Sequence, residues 1–461
     1  MWKGRFAQET AAAVNAFTQS LDLDWRLASS DIEGSRAHVA MLAEVGLLET
    51  DEARQIDEAL LQIDQEVRSG DFRPSEDLED VHMNIEARLI EKLGSLGAKL
   101  HMGRSRNDQV ATTMRLFLRG EYRRLASGLK ALLEVLLARA EADREILIPG
   151  YTHLQQAQPI SLGHYWMGHF ECFRRDARRL AAAFEAIDES PLGAGALAGS
   201  TLPLDREMTS RLLRFARPTR NSLDTVAQRD YLLDYHHFAS VFALHCSRLA
   251  EDLILYASQE FGWLVLPDAY CTGSSMMPQK KNPDVLELVR GRTGQVVGHL
   301  VDLIVSLKGL PSTYNRDLQE DKRGLWASLS AVEAVLSVLP DLLAHVSVDE
   351  RRAQAAFEGG FLLATDVAEH LVERGVPFRE AHEKTGKAVR WCLDEGRALD
   401  SLALVEWRRL VPEVGEDLLA RLNAREAVRL RRTYGGTSFE RVAEAVAEGR
   451  SFLRDSWPLE G

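Results

Sequence analysis

The segment Thr272-Gly273-Ser274-Ser275-Met276-Met277-Pro278-Gln279-Lys280-Lys281-Asn282-Pro283 gathers hydroxyls, paired cations and a helix start. Asn282 has the side chain of an N-cap, and Pro283 suits the first helical position, where its missing N–H costs nothing. Val285, Leu286, Val289, Val296, Val297, Leu300 and Leu303 recur at helical spacing and predict a helix from Val285 to about Ile304. A helix N-terminus carries partial positive charge and free N–H groups, so Lys280 and Lys281 beside it call for a carboxylate or phosphate. Gly273 and the paired serines give the room to move that a lid closing over substrate needs. The segment reads as an anion site with a nucleophile or base built in. From these residues alone, a solvated surface loop carrying two lysines is an equal reading.

Three other polar clusters could complete such a site. Tyr151-Thr152-His153-Leu154-Gln155-Gln156-Ala157-Gln158-Pro159 places an imidazole, a hydroxyl and three amides between two predicted helices. An imidazole titrates near neutral pH and so suits a general acid or base, although a local carbonyl could equally satisfy His153. His101-Met102-Gly103-Arg104-Ser105-Arg106-Asn107-Asp108-Gln109 offers two guanidinium forks for carboxylates at a helix start, or an N-cap with ordinary first-turn charges. Tyr314-Asn315-Arg316-Asp317-Leu318-Gln319-Glu320-Asp321-Lys322-Arg323, read alone, is a solvated charge run.

Long helices must position these clusters. Between Pro218 and Gly262 there is neither Gly nor Pro, and the apolar residues follow a helical period, predicting helix over most of the stretch. Further long helices are predicted from about Ser105 to Ile146, Ser161 to Ile187, Asp284 to Leu307 and Gly324 to His345, with strand signals weak and short. Rods of this length imply an elongated bundle whose apolar stripes one chain does not cover, and hence an oligomer. Shorter helices broken by turns such as Gly70-Asp71-Phe72-Arg73-Pro74, Gly359-Gly360 and Gly435-Gly436 flank the rods. The expected organisation is mainly α in three helical domains: 1–103, a central long-helix bundle over 104–352, and 353–461.

At 461 residues the chain can bury a sizeable core, and its 56 basic against 69 acidic residues leave a net charge of −13. That balance argues against a general nucleic-acid surface, so any anionic substrate must be held by a local cluster. No uninterrupted apolar stretch approaches the roughly 20 residues that span a bilayer, and Met1-Trp2-Lys3-Gly4-Arg5 has no apolar stretch behind it. A cytoplasmic protein without a membrane partner is expected. Cys172, Cys246, Cys271 and Cys392 form no C-x-x-C pair, and neither a metal site nor a disulfide framework is indicated.

Taken together, the four clusters resemble the argininosuccinate lyase family of the fumarase–aspartase superfamily. The resemblance rests on Gly273 to Pro283 with its Gln279-Lys280-Lys281 variant, Gly103 to Val110, Tyr151 to Gln155 and Tyr314 to Lys322. Phe17-Thr18-Gln19-Ser20 with Asp24, and Asp31 to His38, also look like the family's opening. It spans about Gly4 to Lys322, the last third being much less diagnostic. Two departures stand out: Lys3 where the family opening usually has a Gly-Gly pair, and Thr18 where Asn is usual. The resemblance implies cleavage of argininosuccinate to arginine and fumarate without a cofactor. It further implies a homotetramer, with a core of roughly 20 helices and active sites shared between chains.

By the same resemblance, Ser274 is the base, and Lys280 with Asn282 stabilises the developing charge. His153 is the acid that assists the departing nitrogen, and Glu287 orients it. Arg106, Asn107 and Thr152 would engage the succinyl carboxylates, while Ser20, Asp24, Tyr314, Gln319 and Lys322 would hold the arginine moiety. Two alternatives compete: another superfamily enzyme, such as fumarase, aspartase or adenylosuccinate lyase, and a non-catalytic relative like the lens crystallins. The Gly103 to Val110 and Tyr314 to Lys322 matches argue against the first. Retention of His153, Ser274, Lys280 and Glu287 argues against the second.

Overall fold

The computed structural model describes residues 8, 10–358 and 361–459; the opening at Trp2 to Phe6 and the Gly359-Gly360 break lie outside them. Helix dominates. Among the helices before α4 (Arg106–Ala142), which is 37 residues long, are α1 (Ala28–Glu44), α2 (Thr50–Ser69) and α3 (Val81–Leu93). A hairpin of β1 (Leu147–Thr152) and β2 (Gln155–Ser161) then leads into α5 (Leu162–Ile187). After the short helices α6 (Arg206–Leu212) and α7 (Ser222–Ala227) come α8 (Asp230–Ala257), α9 (Asp284–Leu307) and α10 (Asp321–His345). The remainder holds shorter helices, including α11 (Ala364–Glu373), α12 (Phe378–Asp394) and α13 (Phe439–Asp455).

The long helices form because their apolar residues keep to one broad stripe. On α4, Leu118, Tyr122, Leu125, Leu129, Leu132, Leu136 and Ala140 are all buried, at the three-and-four spacing that lines one helix face. Helix covers most of the stretch from Pro218 to Gly262, as the periodicity predicts, but in two pieces. The stretch is not one rod, since Gln228 takes an extended ψ of 127° and separates α7 from α8. The reason is a buried polar demand: Arg115 donates to the Gln228 side chain at 2.7 Å, and Arg229 donates to the Gln228 carbonyl at 2.8 Å. These bonds satisfy cations that would be costly to leave unpaired.

Two compact units divide the chain, with boundaries inside the long helices. Unit 1 comprises 1–126, 178–240 and 294–332. Its interior includes Tyr122 stacked on Tyr235 at 5.4 Å, Phe117 against Trp326 at 5.0 Å, and a cluster of Ala37, Leu116, Leu192, Leu213 and Phe215. Unit 2 comprises 127–177, 241–293 and 333–461. There Phe173 meets Phe242 at 5.7 Å, and a separate apolar cluster forms around Trp407, Val367, Leu371 and Cys392. One segment, 316–345, is long and apolar enough by composition to cross a bilayer, although half of its most apolar window is buried within the chain. Glu333 and Asp341 interrupt that run, which is why the sequence shows no unbroken apolar stretch there.

The hairpin is seated by close backbone packing inside unit 2. The Trp166 indole donates to Asp143 at 2.8 Å, and a Cβ on Gly163 would lie 2.5 Å from the Ala140 carbonyl and 2.9 Å from the Arg144 Cα. Backbone cannot yield as a flexible side chain can. Gly163→Ala is therefore expected to destabilise the protein by about 1–3 kcal/mol, read as a lower midpoint of thermal or denaturant unfolding; an unchanged midpoint would contradict the packing.

Candidate active site

Unit 1 contains a cavity of about 240 Å³ lined by Ser20, Asp24, Arg106, Asn107, Tyr314, Gln319 and Lys322, residues far apart in sequence. Each arrives on the start of an element. Ser20 and Asp24 belong to a short helical turn ahead of α1, Arg106 and Asn107 open α4, and Tyr314 to Lys322 lead into α10. Arg229, at the break before α8, lines it as well, with Glu79, Asp80 and His82 from the start of α3.

Most charges in the cavity are already matched. Arg106 pairs with Asp80 at 3.1 Å and donates to Gln109 at 2.6 Å. Arg316 pairs with Glu79, and its guanidinium donates to the Thr18 carbonyl at 2.8 Å. Gln319 donates to the same carbonyl at 3.2 Å. The Thr18 hydroxyl turns back to Val14 in its own helix at 2.8 Å, so this departure from the usual Asn meets the cavity residues through backbone. Asp321 is buried between two cations, Arg229 and Lys322, the latter at 2.9 Å. Burial opposes its ionisation, but Lys322 and Arg229 outweigh that and hold the carboxyl below its usual range. The trio carries one net positive charge. Burial, partly offset by Arg229 and Arg316, raises the Tyr314 phenol, which therefore stays a protonated donor at neutral pH.

Asp24 is different. It is buried, and its carboxylate accepts from the Ser20 hydroxyl at 2.6 Å and the Val81 N–H at 3.1 Å, both neutral. Among the described residues it has no ion pair. Burial raises its carboxyl above the usual range, against the lowering influence of His82, Ser20 and Lys322. Behind it, the buried His82 imidazole meets Asp31 at 2.8 Å, and Gln109 donates to the same Asp31 oxygen at 2.7 Å.

The remaining predicted residues belong to unit 2. Thr272 pairs with Asn282 and Gly273 with Lys281 in a two-residue antiparallel ladder that closes the base of the Ser274 loop. At its tip Met276 is 87 % exposed. The Ser274 hydroxyl oxygen accepts the backbone N–H groups of Met277 at 3.0 Å and Met276 at 3.3 Å. Two donors aimed at one hydroxyl oxygen stabilise negative charge there. Two sequence expectations change. The first helical hydrogen bond, from the Glu287 N–H at 3.1 Å, is accepted by the Pro283 carbonyl, which puts the N-cap at Pro283 and commits Asn282 to the ladder. Lys281 does not await an anion, because Asp268 and the Leu266 carbonyl already engage its ammonium. Lys280 is the exposed cation that stays available, with no ion pair among the described residues.

His153 and Leu154 form the two-residue turn of the hairpin, with φ of 56° and 55°. Such turns favour Asn and Gly, so two bulkier residues in left-handed backbone mark a position held at some cost. His153 and Thr152 are exposed, as is Glu287 on the first turn of α9. Among the described residues, no hydrogen bond or ion pair within one chain joins His153, Ser274, Lys280 and Glu287 to one another. The sequence reading missed Arg229, Glu79, Asp80 and His82. Asp80 was signalled as an acidic N-cap before an apolar-periodic run, whereas Arg229 was hidden in a stretch with no breaker residue.

Residues 4–298 match the family described as Lyase, and residues 361–429 match the argininosuccinate lyase C-terminal family. With its long helices and polar helix-start clusters, the fold defines the class: a lyase of the fumarase–aspartase superfamily. The chain is 47% identical over 449 residues to argininosuccinate lyase of Syntrophotalea carbinolica, covering 97% of each chain. It is 48% identical over 460 residues to argininosuccinate lyase of Synechococcus sp. (strain JA-3-3Ab), covering 100% of this chain and 94% of the relative. A solved structure of an EDDS lyase variant with bound fumarate superposes with a TM-score of 0.83 at 29% identity, over 94% of this chain and 88% of that one. The chain belongs to the argininosuccinate lyase family.

A buried carboxylate without a cation costs stability, so Asp24 is a stabilising position left unused. Its folded pKa lies above the unfolded value, so the penalty is full at neutral pH and fades as acid protonates the group. Asp24→Asn is expected to raise the thermal midpoint at pH 7 by roughly 1–3 °C, with the gain disappearing near pH 3. A lower midpoint at pH 7 would show that Asp24 is structurally compensated.

Proposed function

We propose that the protein cleaves argininosuccinate to L-arginine and fumarate by a cofactor-free elimination, the last step of arginine biosynthesis, in the cytoplasm. The observation that carries the substrate assignment is the pairing, in one cavity, of an unmatched carboxylate at Asp24 with the net-positive trio around Lys322. An amino-acid end group is the complement of that pattern: its ammonium answers Asp24, and its carboxylate answers Lys322. Ser20, Tyr314 and Gln319 supply neutral hydrogen bonds around it. Arg106, Asn107 and Thr152 take the succinyl carboxylates.

In the proposed reaction a proton leaves the carbon beside one succinyl carboxylate, and the C–N bond to the guanidinium then breaks. Removing that proton places charge on the neighbouring carboxylate as an aci-carboxylate, so catalysis needs a base on one face and fixed positive charge around the carboxylate. Ser274 is the base. A serine hydroxyl is too weak an acid to lose its proton unaided, and the Met276 and Met277 N–H groups favour its ionised form. Lys280 and Asn282 stabilise the charge that develops on the substrate. His153 donates a proton to the departing nitrogen, and Glu287 orients the imidazole.

Assembly completes the proposal. Leu288, Val301, Ile304 and Val305 are exposed on α9, and Gly291, Gly294 and Gly298 face open space there. Small residues let helix backbones approach closely, and exposed apolar side chains supply the drive to cover them. That surface supports a homotetramer packed through the long helices, with sites shared between chains, which the family resemblance implies. The three-domain division at 103 and 352 belongs to the same proposal.

The direct test is the rise of fumarate absorbance, with arginine measured alongside, when purified protein meets argininosuccinate. Release of fumarate from adenylosuccinate or aspartate but not from argininosuccinate would move the protein to another branch of the superfamily. Ser274→Ala is expected to lower kcat at least about 1,000-fold while substrate still binds, since it removes only the proton acceptor. Near-normal turnover would exclude Ser274 as the base. Mixing inactive His153→Ala and Ser274→Ala proteins is expected to restore part of the activity; no recovery despite demonstrated subunit exchange would count against shared sites.

A further inference from the structure

Asp108, which the proposed chemistry leaves without a task, makes more directed backbone contacts than any cavity residue described above. It sits in the first turn of α4, one position after Asn107, and is fully buried. One carboxylate oxygen accepts the Ser105 N–H at 3.0 Å, while the Ser105 hydroxyl accepts the Asn107 N–H at 3.3 Å. Together these bonds form a capping arrangement that fixes how α4 begins. The other oxygen accepts the N–H groups of Gly193 at 3.0 Å and Gly195 at 2.8 Å. Those donors lie in the Gly193-Ala194-Gly195-Ala196-Leu197-Ala198-Gly199 loop, in which Gly193, Gly195 and Gly199 all have positive φ.

The loop is built around that carboxylate. Successive N–H groups in left-handed backbone form a concave nest for an anion, and here the chain supplies its own. Added side chains would not fit: a Cβ on Gly195 would lie 2.7 Å from the Gly199 carbonyl, and one on Gly193 would lie 2.8 Å from Arg206. Arg206 braces the approach by donating to the Leu192 carbonyl at 3.0 Å and the Ser190 carbonyl at 3.2 Å. The braced loop then reaches back to the cavity, since the Ala196 carbonyl accepts the Asn107 side-chain amide at 3.0 Å. That bond uses one amide hydrogen and leaves the second for a substrate.

We propose that Asp108 is a positioning residue, whose carboxylate locks the Gly193–Gly199 loop onto the start of α4 and thereby fixes the Asn107 amide in the substrate cavity. The inference rests on the reading that Asn107 binds a substrate carboxylate. Arg104 and Arg206 are the charged groups whose fields reach Asp108, while its direct partners are all backbone N–H groups. Burial pushes its carboxyl up to about 6 despite these donors, so the lock is held against a desolvation cost.

Two variants test this in the assembled enzyme. Asp108→Asn puts an amide donor where one carboxylate oxygen accepts. Gly195→Ala strains the nest and leaves the capping arrangement alone. For both, hydrogen–deuterium exchange over 193–199 is expected to accelerate about 10-fold or more, with far-ultraviolet dichroism retained. The KM for argininosuccinate is expected to rise at least about 5-fold with kcat within about 2-fold, the signature of weakened uniform binding. Unchanged exchange overturns the lock. Faster exchange with an unchanged KM overturns the positioning role. Asn107→Ala separates this inference from the reading beneath it: if that variant keeps the wild-type KM, Asn107 is not a substrate contact, whatever the exchange shows.

Discussion

A helix tens of residues long is stiff and uses up its own backbone hydrogen bonds along its length, so its backbone offers free polar groups only at its ends. The organisation of this molecule follows from that constraint. Arg106 and Asn107 open α4, Arg229 opens α8, Asp284 and Glu287 open α9, and Tyr314 to Lys322 lead into α10. Even His153 obeys it, lying at the tip of the hairpin that joins α4 to α5. The interiors of the same helices carry the apolar stripes that form the core and leave the exposed face of α9.

The constraint also decides which local devices are needed. A helix start is a place of unsatisfied N–H groups, and the chain either fills them with its own side chains or leaves them for a ligand. Asp80 caps α3 by accepting the Met83 N–H at 2.7 Å, and Asp108 serves the start of α4. The same acidic residues meet neighbouring groups: Asp80 pairs with Arg106, and Asp108 holds Gly193 and Gly195. Capping and site geometry are thus one set of bonds. Asp24 and Asp108 are both buried acids with only neutral partners, but three backbone N–H groups take up Asp108, whereas Asp24 has one N–H and the Ser20 hydroxyl and lines the cavity.

Much of this was legible in the sequence. Apolar periodicity located α4, α5, α9 and α10 to within a few residues, because a buried stripe leaves little freedom in where its residues fall. The cavity residues Ser20, Asp24, Arg106, Asn107, Tyr314, Gln319 and Lys322 were legible through family resemblance, not through spacing, because their proximity arises from tertiary packing. What escaped was set by contacts distant in sequence. The break at Gln228 serves the buried Arg115 and Arg229, and no breaker residue announces it. The hairpin at 147–161 has a His-Leu turn in place of the usual Asn-Gly signal. Lys281 read as a cation awaiting a ligand because Asp268, its partner, lies outside the motif.

The central claim is that the unit 1 cavity recognises the amino-acid end of the substrate through the unmatched Asp24 carboxylate. Calorimetric titration in the Ser274→Ala background, with and without Asp24→Asn, tests it most directly. Argininosuccinate affinity is expected to fall at least about 10-fold on removing the Asp24 charge, with fumarate affinity, which reports only the succinyl end, unchanged. Equal losses for both ligands, or none for argininosuccinate, would contradict the account.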